Sequence, residues 1–501
     1  MNIGRIIDSL VEDYHERGMV VPETKEDSKT SAYKEGQIGD MLAELMVERF
    51  RRFHDSLMVF NGKKYEMIKP EDVRKVVQGF LKKVGCGPAY LSRSAPVVHR
   101  MIMDNPFLEN FEPKRNIIYM QNCVLVLEKN GKVNVMEHDP RWMSRIYIDI
   151  PYEPFVECPA WEDFLLTVIE DMDAIKVLQE FLGCMFIDKE ELSIEKALFL
   201  FGCGSNGKSV IFNVLKDIFG DNVTNTGLDK VNGRSGEYYL DALIGKLLAY
   251  TSDMEARDLG SGVYKQLISK EPVTCRPIRQ APFESDDWPM FMANINKGLI
   301  TTDSSDGFWR RNIVIGFNRI FADNPDYALG QLKADKSFKS SLKSQYSGIF
   351  NWILLGRERI LKQRGKFTES KSIEELTRDM RNSSTGVYAF LNDKMYSPTD
   401  TKDKRGELKR MLSKDFYREY CEWCADNGYR DTKNINRFRD DIMNAKITYK
   451  RCMKVDGIVS SGFIFYKVPP EDVPLERNDA SENDLWNSPE ASETDDFPGE
   501  V

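Results

Sequence analysis

The chain has 501 residues, of which 41% are hydrophobic and 30% are charged, and its formal net charge is −9. This composition is typical of a soluble globular protein with sizeable cores and about three domains. No stretch approaches the roughly 18 uninterrupted apolar residues of a membrane-spanning helix. The first residues lack a signal-peptide pattern, and nine cysteines are scattered without framework spacing. We therefore expect a cytoplasmic protein without a membrane partner.

Apolar periodicity predicts helices and strands along most of the chain. In chain order, the predicted elements are a helix over 40–53, a helix that begins near Pro70, strands over 117–120, 124–127 and 133–136, a helical stretch over 161–186, alternating strands and helices over 195–320, a helical stretch over 326–365, and a small basic α/β region that ends near residue 466. The alternation over 195–320 is typical of an α/β layer.

The negative charge is concentrated at the C-terminal end. Residues 471–501 carry −10, whereas the other 470 residues together carry +1. The acidic balance therefore does not exclude nucleic acid as a partner, although any basic surface has to be local. The tail lacks periodicity, so we expect it to be disordered. Its Trp486 and Phe497 could dock on replication proteins, but an inert solubilising tail is the favoured alternative.

A phosphate-binding pattern lies between a predicted strand and a predicted helix. Residues 202–209 read Gly-Cys-Gly-Ser-Asn-Gly-Lys-Ser, a complete Gly-x-x-x-x-Gly-Lys-Ser loop. Its glycines let backbone N–H groups approach phosphate oxygens. Lys208 can reach the β- and γ-phosphates, and Ser209 can bind Mg²⁺. A glycine turn without nucleotide is a much weaker alternative, so we predict ATP and Mg²⁺ as ligands. The predicted nucleotide-binding residues are Gly202, Gly204, Ser205, Asn206, Gly207, Lys208, Ser209 and Val210.

Two acidic residues follow the next predicted buried strand. Asp253 and Glu255 are two positions apart, so on a strand they share a face. One could bind Mg²⁺ while the other orients the attacking water. An exposed acidic loop is the alternative. We predict that both residues are catalytic and that Asp253, with Ser209, is a metal ligand.

Polar residues at two further strand ends extend the candidate site. Asn294 ends an apolar strand, where its amide can sense the γ-phosphate or place water, although a simple turn residue also fits. Arg310 and Arg311 open the following strand, and an arginine can neutralise charge on the transferring phosphoryl group from the same or a neighbouring subunit. A surface salt bridge explains the two arginines about equally well.

A basic segment lies between the second and third predicted strands. No acidic residue interrupts positions 273–281, which could form a hairpin with Arg276 and Arg279 on it. Such a hairpin could contact a phosphate backbone. An ordinary solvated edge hairpin is nearly as good an explanation.

The order of these motifs resembles that of superfamily-3 helicases. It is most similar to the phage and plasmid primase-helicases related to the poxvirus enzyme. The phosphate loop, the Ser252-Asp253 strand end, the Asn294 strand and the Trp309-Arg310-Arg311 strand look like the A, B and C motifs of that family. The resemblance covers roughly residues 40–468. Segments that resemble the family outside the core are 122–127, 138–140, 158–164, 178–183, 347–356 and 416–428.

The resemblance implies a ring, usually hexameric, that binds ATP between subunits and moves along single-stranded DNA. It implies that Lys208 is the lysine of the ATP site, Asp253 its acidic strand end and Asn294 its sensor. Arg311 maps best to the arginine finger, with Arg310 second. The family usually has a glutamate at the second motif. Because Asp253 precedes Glu255 in this chain, either carboxylate could activate water.

The resemblance also implies a DNA-tracking hairpin and a domain order. The hairpin corresponds to about 273–283, and the predicted DNA-binding residues are Lys265, Arg276 and Arg279. The predicted fold is α/β, with an AAA+-like P-loop core. The expected domains are an α+β collar for oligomerisation or partners over 1–160, a helical lead-in over 161–194, the core over 195–325, a helical segment over 326–371, a winged-helix-like DNA-binding domain over 372–470, and the acidic tail over 471–501.

The favoured interpretation is an ATP-dependent, ring-forming replicative DNA helicase of a phage or mobile element, working in the cytoplasm of its host on single-stranded and forked DNA. Residues 1–115 show no zinc-ligand cluster and no paired Asp-x-Asp, so primer synthesis by this chain alone is not expected. An origin-binding initiator or helicase loader that acts through residues 372–468 is the main alternative. A small-metabolite kinase with a phosphate loop is a weaker one.

Overall fold

A computed structural model gives the fold of this chain. It describes residues 3–20, 31–47, 49–53, 56–85, 100, 102–112, 114–231, 236–252, 254, 262–276, 282–296, 299, 306–335, 337–383, 386–398, 406–427 and 434–467. The acidic tail therefore lies outside the described residues. The chain divides into two compact units, Met1–Thr385 and Gly386–Val501. None of the described helices is long and apolar enough to cross a membrane.

Helices and strands are numbered here in chain order. The helices are α1 Ile3–Glu16, α2 Ser31–Met46, α3 Pro70–Lys83, α4 Pro159–Ile169, α5 Met172–Gly183, α6 Lys208–Phe219, α7 Leu228–Val231, α8 Gly262–Ile268, α9 Asp306–Trp309, α10 Phe338–Ser341, α11 Tyr346–Lys362, α12 Lys371–Ser383, α13 Gly386–Asp393, α14 Ser413–Asp426 and α15 Ile435–Asn444.

The strands belong to several sheets and confirm a mixed α/β chain. They are β1 Phe50–Phe53, β2 Ser56–Phe60, β3 Tyr65–Ile68, β4 Ile117–Tyr119, β5 Val124–Leu127, β6 Val133–Met136, β7 Ala197–Phe201, β8 Val223–Thr224, β9 Leu248–Thr251, β10 Val273–Cys275, β11 Phe283–Ser285, β12 Met290–Ile295, β13 Asn312–Gly316, β14 Phe321–Ala322, β15 Leu332–Lys333, β16 Tyr396–Ser397, β17 Glu407–Leu412, β18 Thr448–Val455 and β19 Ile458–Lys467.

A five-stranded parallel sheet forms the centre of the first unit. Its strand order is β13-β7-β12-β9-β8, and every neighbouring pair is parallel. Parallel strands need cover on both faces, and β7 shows how this is met. Leu198 and Leu200 belong to one hydrophobic core, whereas Ala197 and Phe199 belong to the other. All strands run in the same direction, so their carboxyl-terminal ends lie along one side of the sheet, which we call the carboxyl edge. Their first residues lie along the opposite side, which we call the amino edge.

The first unit also contains antiparallel sheets. Strands β1-β2-β3 and β4-β5-β6 form two three-stranded sheets, and β10 pairs with β11 as a hairpin. The hairpin expected from residue 273 onward is therefore confirmed. The strands predicted over 117–120, 124–127 and 133–136 are also confirmed within a residue or two by β4, β5 and β6.

The second unit has its own sheet and core. Strand β19 pairs antiparallel with β17, β18 and β16. Strands β17 and β18 meet the same β19 residues, so they lie on opposite sides of it. The β18–β19 turn is Asp456-Gly457, and both residues have positive φ, 49° and 84°, as a two-residue type I′ hairpin turn requires. Helices α13, α14 and α15 contribute Phe390, Phe416 and Phe438 to the core.

The structure corrects the helix expected over 40–53. Helix α2 ends at Met46, and residues 50–53 form β1, which pairs antiparallel with β2. Phe50 is fully buried. The three-residue spacing of Phe50 and Phe53 favours a helix, because residues three apart lie on opposite faces of a strand. Cross-strand pairing with β2 nevertheless makes this segment a strand.

The region expected to be helical over 326–365 contains a short strand as well as helices. Strand β15 lies in it and pairs in parallel with β14, which precedes the region, and Gly330 there has φ 71°. Helix α12 packs on β13 of the first unit. The two compact units divide after residue 385, and the expected domain boundary at residue 372 stays a prediction.

Candidate functional site

The phosphate loop leaves β7 at the carboxyl edge and runs into α6. Its first residue is held between neighbouring strands, because Gly202 N donates to Ile295 O at 3.2 Å and Phe317 N donates to Phe201 O at 2.7 Å. A Cβ atom at Gly202 would lie 2.6 Å from the Phe317 carbonyl oxygen. Only glycine permits this approach.

The other two glycines of the loop have left-handed backbone conformations. Gly204 has φ 84° and Gly207 has φ 88°, a region that side chains disfavour. Gly207 is also the residue before α6, so the first N–H groups of a twelve-residue helix face the loop. Such groups carry partial positive charge and bind anions. The backbone conformation is compatible with the predicted phosphate-binding loop, and phosphate binding itself stays a prediction.

Lys208 is 4% exposed and folded back into the loop. Its Nζ donates to Gly202 O at 2.5 Å and to Asn206 Oδ1 at 3.0 Å. Asn206 is also buried, and its Nδ2 donates to Phe317 O at 3.3 Å. The ammonium is thus placed over the concave side of the loop by Asn206, which the motif alone leaves as a variable position.

The remaining loop residues face outward. Ser205 and Ser209 are exposed, and Val210 is half-buried in the first turn of α6. Ser205 O accepts from Phe321 N at 2.7 Å, which ties the loop to β14. The hydroxyl of Ser209 is therefore accessible for a cation at the mouth of the loop.

Asp253 and Glu255, the predicted acidic partners, lie outside the described residues. The chain around them can still be followed. Strand β9 ends at Thr251, and Met254 N donates to Asn294 O at 3.0 Å. The segment that carries both acids therefore begins at the carboxyl edge. Among the described residues, no group of three or more His, Cys, Asp or Glu side chains could hold a metal ion.

Asn294 lies on β12 beside the phosphate loop. It pairs in register with Leu200 of β7 and is 3% exposed. Its Oδ1 is buried without a donor at good hydrogen-bond geometry in the described part of the chain, and its side chain interacts with the Tyr250 hydroxyl. A buried acceptor without a good hydrogen bond is costly.

Arg310 and Arg311 lie at the amino edge, opposite the loop. Ala197 N donates to Arg311 O at 2.8 Å, so both arginines stand beside the start of β7. Strand β7 has five residues, which separates them from the loop of the same chain by about 17 Å. Neither side chain reaches the loop of its own chain.

The two arginines differ in burial. The Arg311 side chain is 13% exposed and contacts Glu195 Oε2 at 3.0 Å, Ser269 Oγ at 3.1 Å and Gly307 O at 2.8 Å. The Arg310 side chain is 65% exposed and meets Glu195 Oε2 at 3.3 Å. Arg311 is therefore engaged inside its own subunit, whereas Arg310 is presented to the surroundings.

A cavity of about 570 Å³ adjoins the loop. It is lined by Phe164, Phe321 and Phe338, with Lys333 at the same wall. The Phe164 ring lies 3.0 Å from where a Gly207 Cβ would be. No sequence pattern indicates this cavity, because its walls come from α4, the loop and the segment after β13, which are far apart in the chain.

The β10–β11 hairpin presents one of the predicted DNA contacts. Arg276 is 55% exposed at its side chain and lies 3.7 Å from Glu237. Arg279 lies outside the described residues. Lys265 is half-buried on α8 and has interactions of its own.

Two tyrosines that the sequence analysis missed lie next to this hairpin. Arg276 N donates to Glu237 O at 3.4 Å, and the next residues, Tyr238 and Tyr239, are 45% and 44% exposed. Exposed aromatic side chains beside a basic hairpin are suited to base stacking. A tyrosine pair in a polar stretch could have been found as a signal of this kind.

Comparisons with known proteins give one partial match and several structural likenesses. Residues 200–311 match the model of a family described as a family of unknown function, DUF5906. No curated protein matches the chain. A structure described as the A form apo structure of the NrS-1 C-terminal region is 14% identical with a TM-score of 0.42, and covers 83% of this chain and 94% of that one. Two further apo structures of the same region are each 13% identical, with TM-scores of 0.42 and 0.43. They cover 84% and 83% of this chain, and 95% of their own length in each case.

Proposed function

We propose that this protein is an ATP hydrolase that works as a ring-forming DNA helicase in the replication of a phage or mobile element. The observation that carries the proposal is that the candidate residues form two groups at opposite edges of the sheet. The glycine cradle, Lys208 and Asn294 lie at the carboxyl edge, whereas Arg310 and Arg311 lie at the amino edge. Head-to-tail contact between copies would bring the two halves together, and such contacts form a ring when the rotation between copies closes.

The loop would bind the triphosphate of ATP. Backbone N–H groups of the loop and Lys208 would hold the β- and γ-phosphates, and the hydroxyl of Ser209 together with Asp253 would hold Mg²⁺. A bound Mg²⁺ would neutralise charge on the phosphate oxygens. The aromatic cavity beside Gly207 has the size and apolar walls to take the adenine base between Phe164 and Phe321.

Hydrolysis would follow as an in-line displacement. A water oxygen forms a bond to the γ-phosphorus while the bond to the bridging β–γ oxygen breaks, which yields ADP and inorganic phosphate. The proton of the water passes to the carboxylate of Asp253 or Glu255. Asn294 Oδ1 accepts a hydrogen bond from that water and fixes its direction of attack.

The arginine finger would come from the neighbouring subunit. The motif order favours Arg311, because it directly precedes β13. The structure supports Arg310 as the side chain that reaches the neighbouring subunit, because the Arg310 guanidinium is exposed. Arg311, held by Glu195 and Ser269, would then position the segment that carries Arg310.

Single-stranded DNA would be held by the hairpin and its tyrosines. Arg276 contacts a backbone phosphate and Tyr238 and Tyr239 stack on bases, a combination that binds single strands with little sequence preference. Binding should weaken as salt rises, because phosphate contacts release counterions.

ATP turnover by the full-length protein tests this proposal. We expect single-stranded DNA to stimulate hydrolysis and Lys208→Ala to abolish it, while Lys216→Ala, an exposed lysine on the same helix, leaves it unchanged. Hydrolysis that ignores DNA in a monomeric protein would instead favour a small-metabolite kinase.

A second candidate is an origin-binding initiator that acts through the second unit. This unit contains, in order, α13, β16, β17, α14, α15 and the β18–β19 hairpin, and we interpret it as winged-helix-like. Exposed bases on α15 and β18 favour duplex binding: Arg437, Lys450, Arg451 and Lys454. If this candidate is right, Lys450→Gln with Arg451→Gln abolishes a sequence-specific footprint on duplex DNA and leaves ATP turnover intact.

A further inference from the structure

A small basic cavity lies at the amino edge of the parallel sheet, away from the phosphate loop. It has a volume of about 210 Å³ and is bounded by β3 and by the segments that precede β8 and β9. Leu247 N donates to Asn222 O at 2.8 Å, which brings those two segments together. The cavity is lined by the side chains of Lys64, Arg145 and Lys246, three of the basic residues of the first unit.

Arg145 is the deepest of these bases. Its Nη1 is buried and has no hydrogen-bond partner in the part of the chain that the structure describes. The guanidinium lies 5.6 Å from the centre of the Phe53 ring. On the other side it packs on Gly245, whose φ is 71° and where a Cβ would lie 2.6 Å from Nη1. The fold thus fixes the Arg145 side chain in place but provides no hydrogen-bond acceptor for its Nη1 among the described residues.

Arg145 has no direct ion pair. Within the described ranges, no carboxylate lies within 4.0 Å of its guanidinium. Asp287 and Asp241 act on its charge from farther away, and Asp287 is itself bound by Arg115 at 2.6 Å. A half-buried guanidinium without an acceptor for its buried Nη1 is suited to an anionic ligand.

The two lysines add to the positive field. Lys246 Nζ donates to the backbone oxygen of Asp221, and burial together with nearby Lys64 lowers the pKa of Lys246. Lys64 Nζ lies 3.9 Å from Asp221, whose side chain is 90% exposed and stands at the rim. The other acid at the cavity, Glu66, accepts a hydrogen bond from Asn61 at 2.9 Å. The interior of the cavity therefore presents cationic donors.

We propose that this cavity binds a phosphate group, with Arg145 as the central donor and Lys64 and Lys246 as flanking cations. Charge-assisted hydrogen bonds from a guanidinium suit phosphate oxygens. At 210 Å³, the cavity is smaller than the roughly 300–1,000 Å³ of sites for whole small molecules. It would take inorganic phosphate, pyrophosphate or the terminal phosphate of a DNA strand.

The test uses full-length protein that carries Lys208→Ala, so that the phosphate loop does not dominate the response. Inorganic phosphate, titrated by calorimetry and by thermal unfolding against sodium chloride of equal ionic strength, should bind and raise the unfolding midpoint. Adding Arg145→Gln should weaken binding by about tenfold or more. Lys63→Gln is the matched control, because Lys63 neighbours the cavity but donates to the Tyr147 hydroxyl outside it.

A second comparison separates the sources of the phosphate. If the ligand is a strand end, a 5′-phosphorylated oligonucleotide binds more tightly than the same oligonucleotide with a 5′-hydroxyl, and Arg145→Gln removes the difference. If it is a free anion, the two oligonucleotides bind alike while pyrophosphate binds.

The proposal fails if phosphate stabilises the protein no more than chloride does. It also fails if the response survives in both Arg145→Gln and Lys246→Gln. Should Arg145→Gln prevent folding, Lys246→Gln decides the matter, because its position near the rim makes it the milder change.

Discussion

Arg310 and Arg311 are adjacent in sequence but have different environments, and this difference separates stability from catalysis. Arg311 bridges Glu195, Ser269 and Gly307 inside one subunit. Arg310 makes one exposed contact. The sequence does not show which of the two arginines is bound inside the subunit, because the partners of Arg311 come from distant segments. Burial therefore assigns a structural role to Arg311, whereas the exposed Arg310 is available to contact a neighbouring subunit.

Replacing Arg311 by Ala should lower the free energy of unfolding by roughly 2 kcal/mol, between the values for exposed and buried ion pairs. Arg310→Ala should change it by less than about 0.5 kcal/mol and yet abolish ATP turnover. Denaturant unfolding and hydrolysis rates measure the two effects. Equal losses of stability in both variants would contradict the assignment.

Replacing Asn294 should lower ATP turnover without lowering the free energy of unfolding. Its Oδ1 is buried without a donor at good hydrogen-bond geometry among the described residues, so Asn294→Leu removes a poorly satisfied acceptor at similar volume. We expect unfolding free energy to stay equal or rise by about 1 kcal/mol, while ATP turnover falls at least tenfold. A variant that is destabilised and still fully active would show that the amide serves packing alone.

Lys270 links stability to pH. It is 6% exposed, and burial lowers its pKa to about 8, against about 10.4 in an unfolded chain. The unfolded state therefore binds the proton more tightly between these values, and the stability of the folded state rises with pH across this window.

The comparison with Lys270→Met isolates this effect. The variant should be more stable below pH 8, and its advantage should shrink by about 3 kcal/mol towards pH 10.5. Urea unfolding at pH 7.5, 9 and 10 measures the trend, with the exposed Lys216→Met as control. An advantage that does not change with pH would mean that the Lys270 ammonium is not desolvated.

At the scale of elements, the β10–β11 hairpin and the turn that carries Tyr238 and Tyr239 form the proposed DNA contact. Stacking on one aromatic side chain contributes about 1–3 kcal/mol per base. Tyr238→Ala with Tyr239→Ala should therefore raise the Kd for single-stranded DNA at least tenfold. Tyr327→Ala, a 71% exposed tyrosine in the segment between β14 and β15, is the control and should bind normally in the same fluorescence titration.

The helices and strands also show which features of the fold sequence patterns can predict. The phosphate loop and its flanking β7 and α6 were predictable, because glycines and apolar spacing encode local backbone needs. Strand β1 was mistaken for helix, since the three-residue spacing of Phe50 and Phe53 favours a helix. The aromatic cavity and the cavity of Arg145 were not predictable, because each joins segments more than a hundred residues apart.

At the scale of the whole molecule, the sheet keeps the two halves of the proposed ATP site apart. The loop leaves the carboxyl edge and the arginines stand at the amino edge, about 17 Å away along β7. On the proposed function, a single subunit therefore has no complete ATP site. Activity should depend on protein concentration, and the active form should be a multimer in sedimentation or mass photometry.

Mixing two inactive variants tests the shared site most directly. Lys208→Ala subunits keep the arginine, and Arg310→Ala subunits keep the loop, so a mixed ring contains some intact sites. With random assembly of equal amounts, about a quarter of the interfaces are intact, and DNA-stimulated ATP turnover should recover to that order. The same mixture made with Arg311→Ala distinguishes the two arginines. If mixtures of either pair stay as inactive as their components, the site is not shared between subunits and the account of the protein as a ring-forming helicase is contradicted.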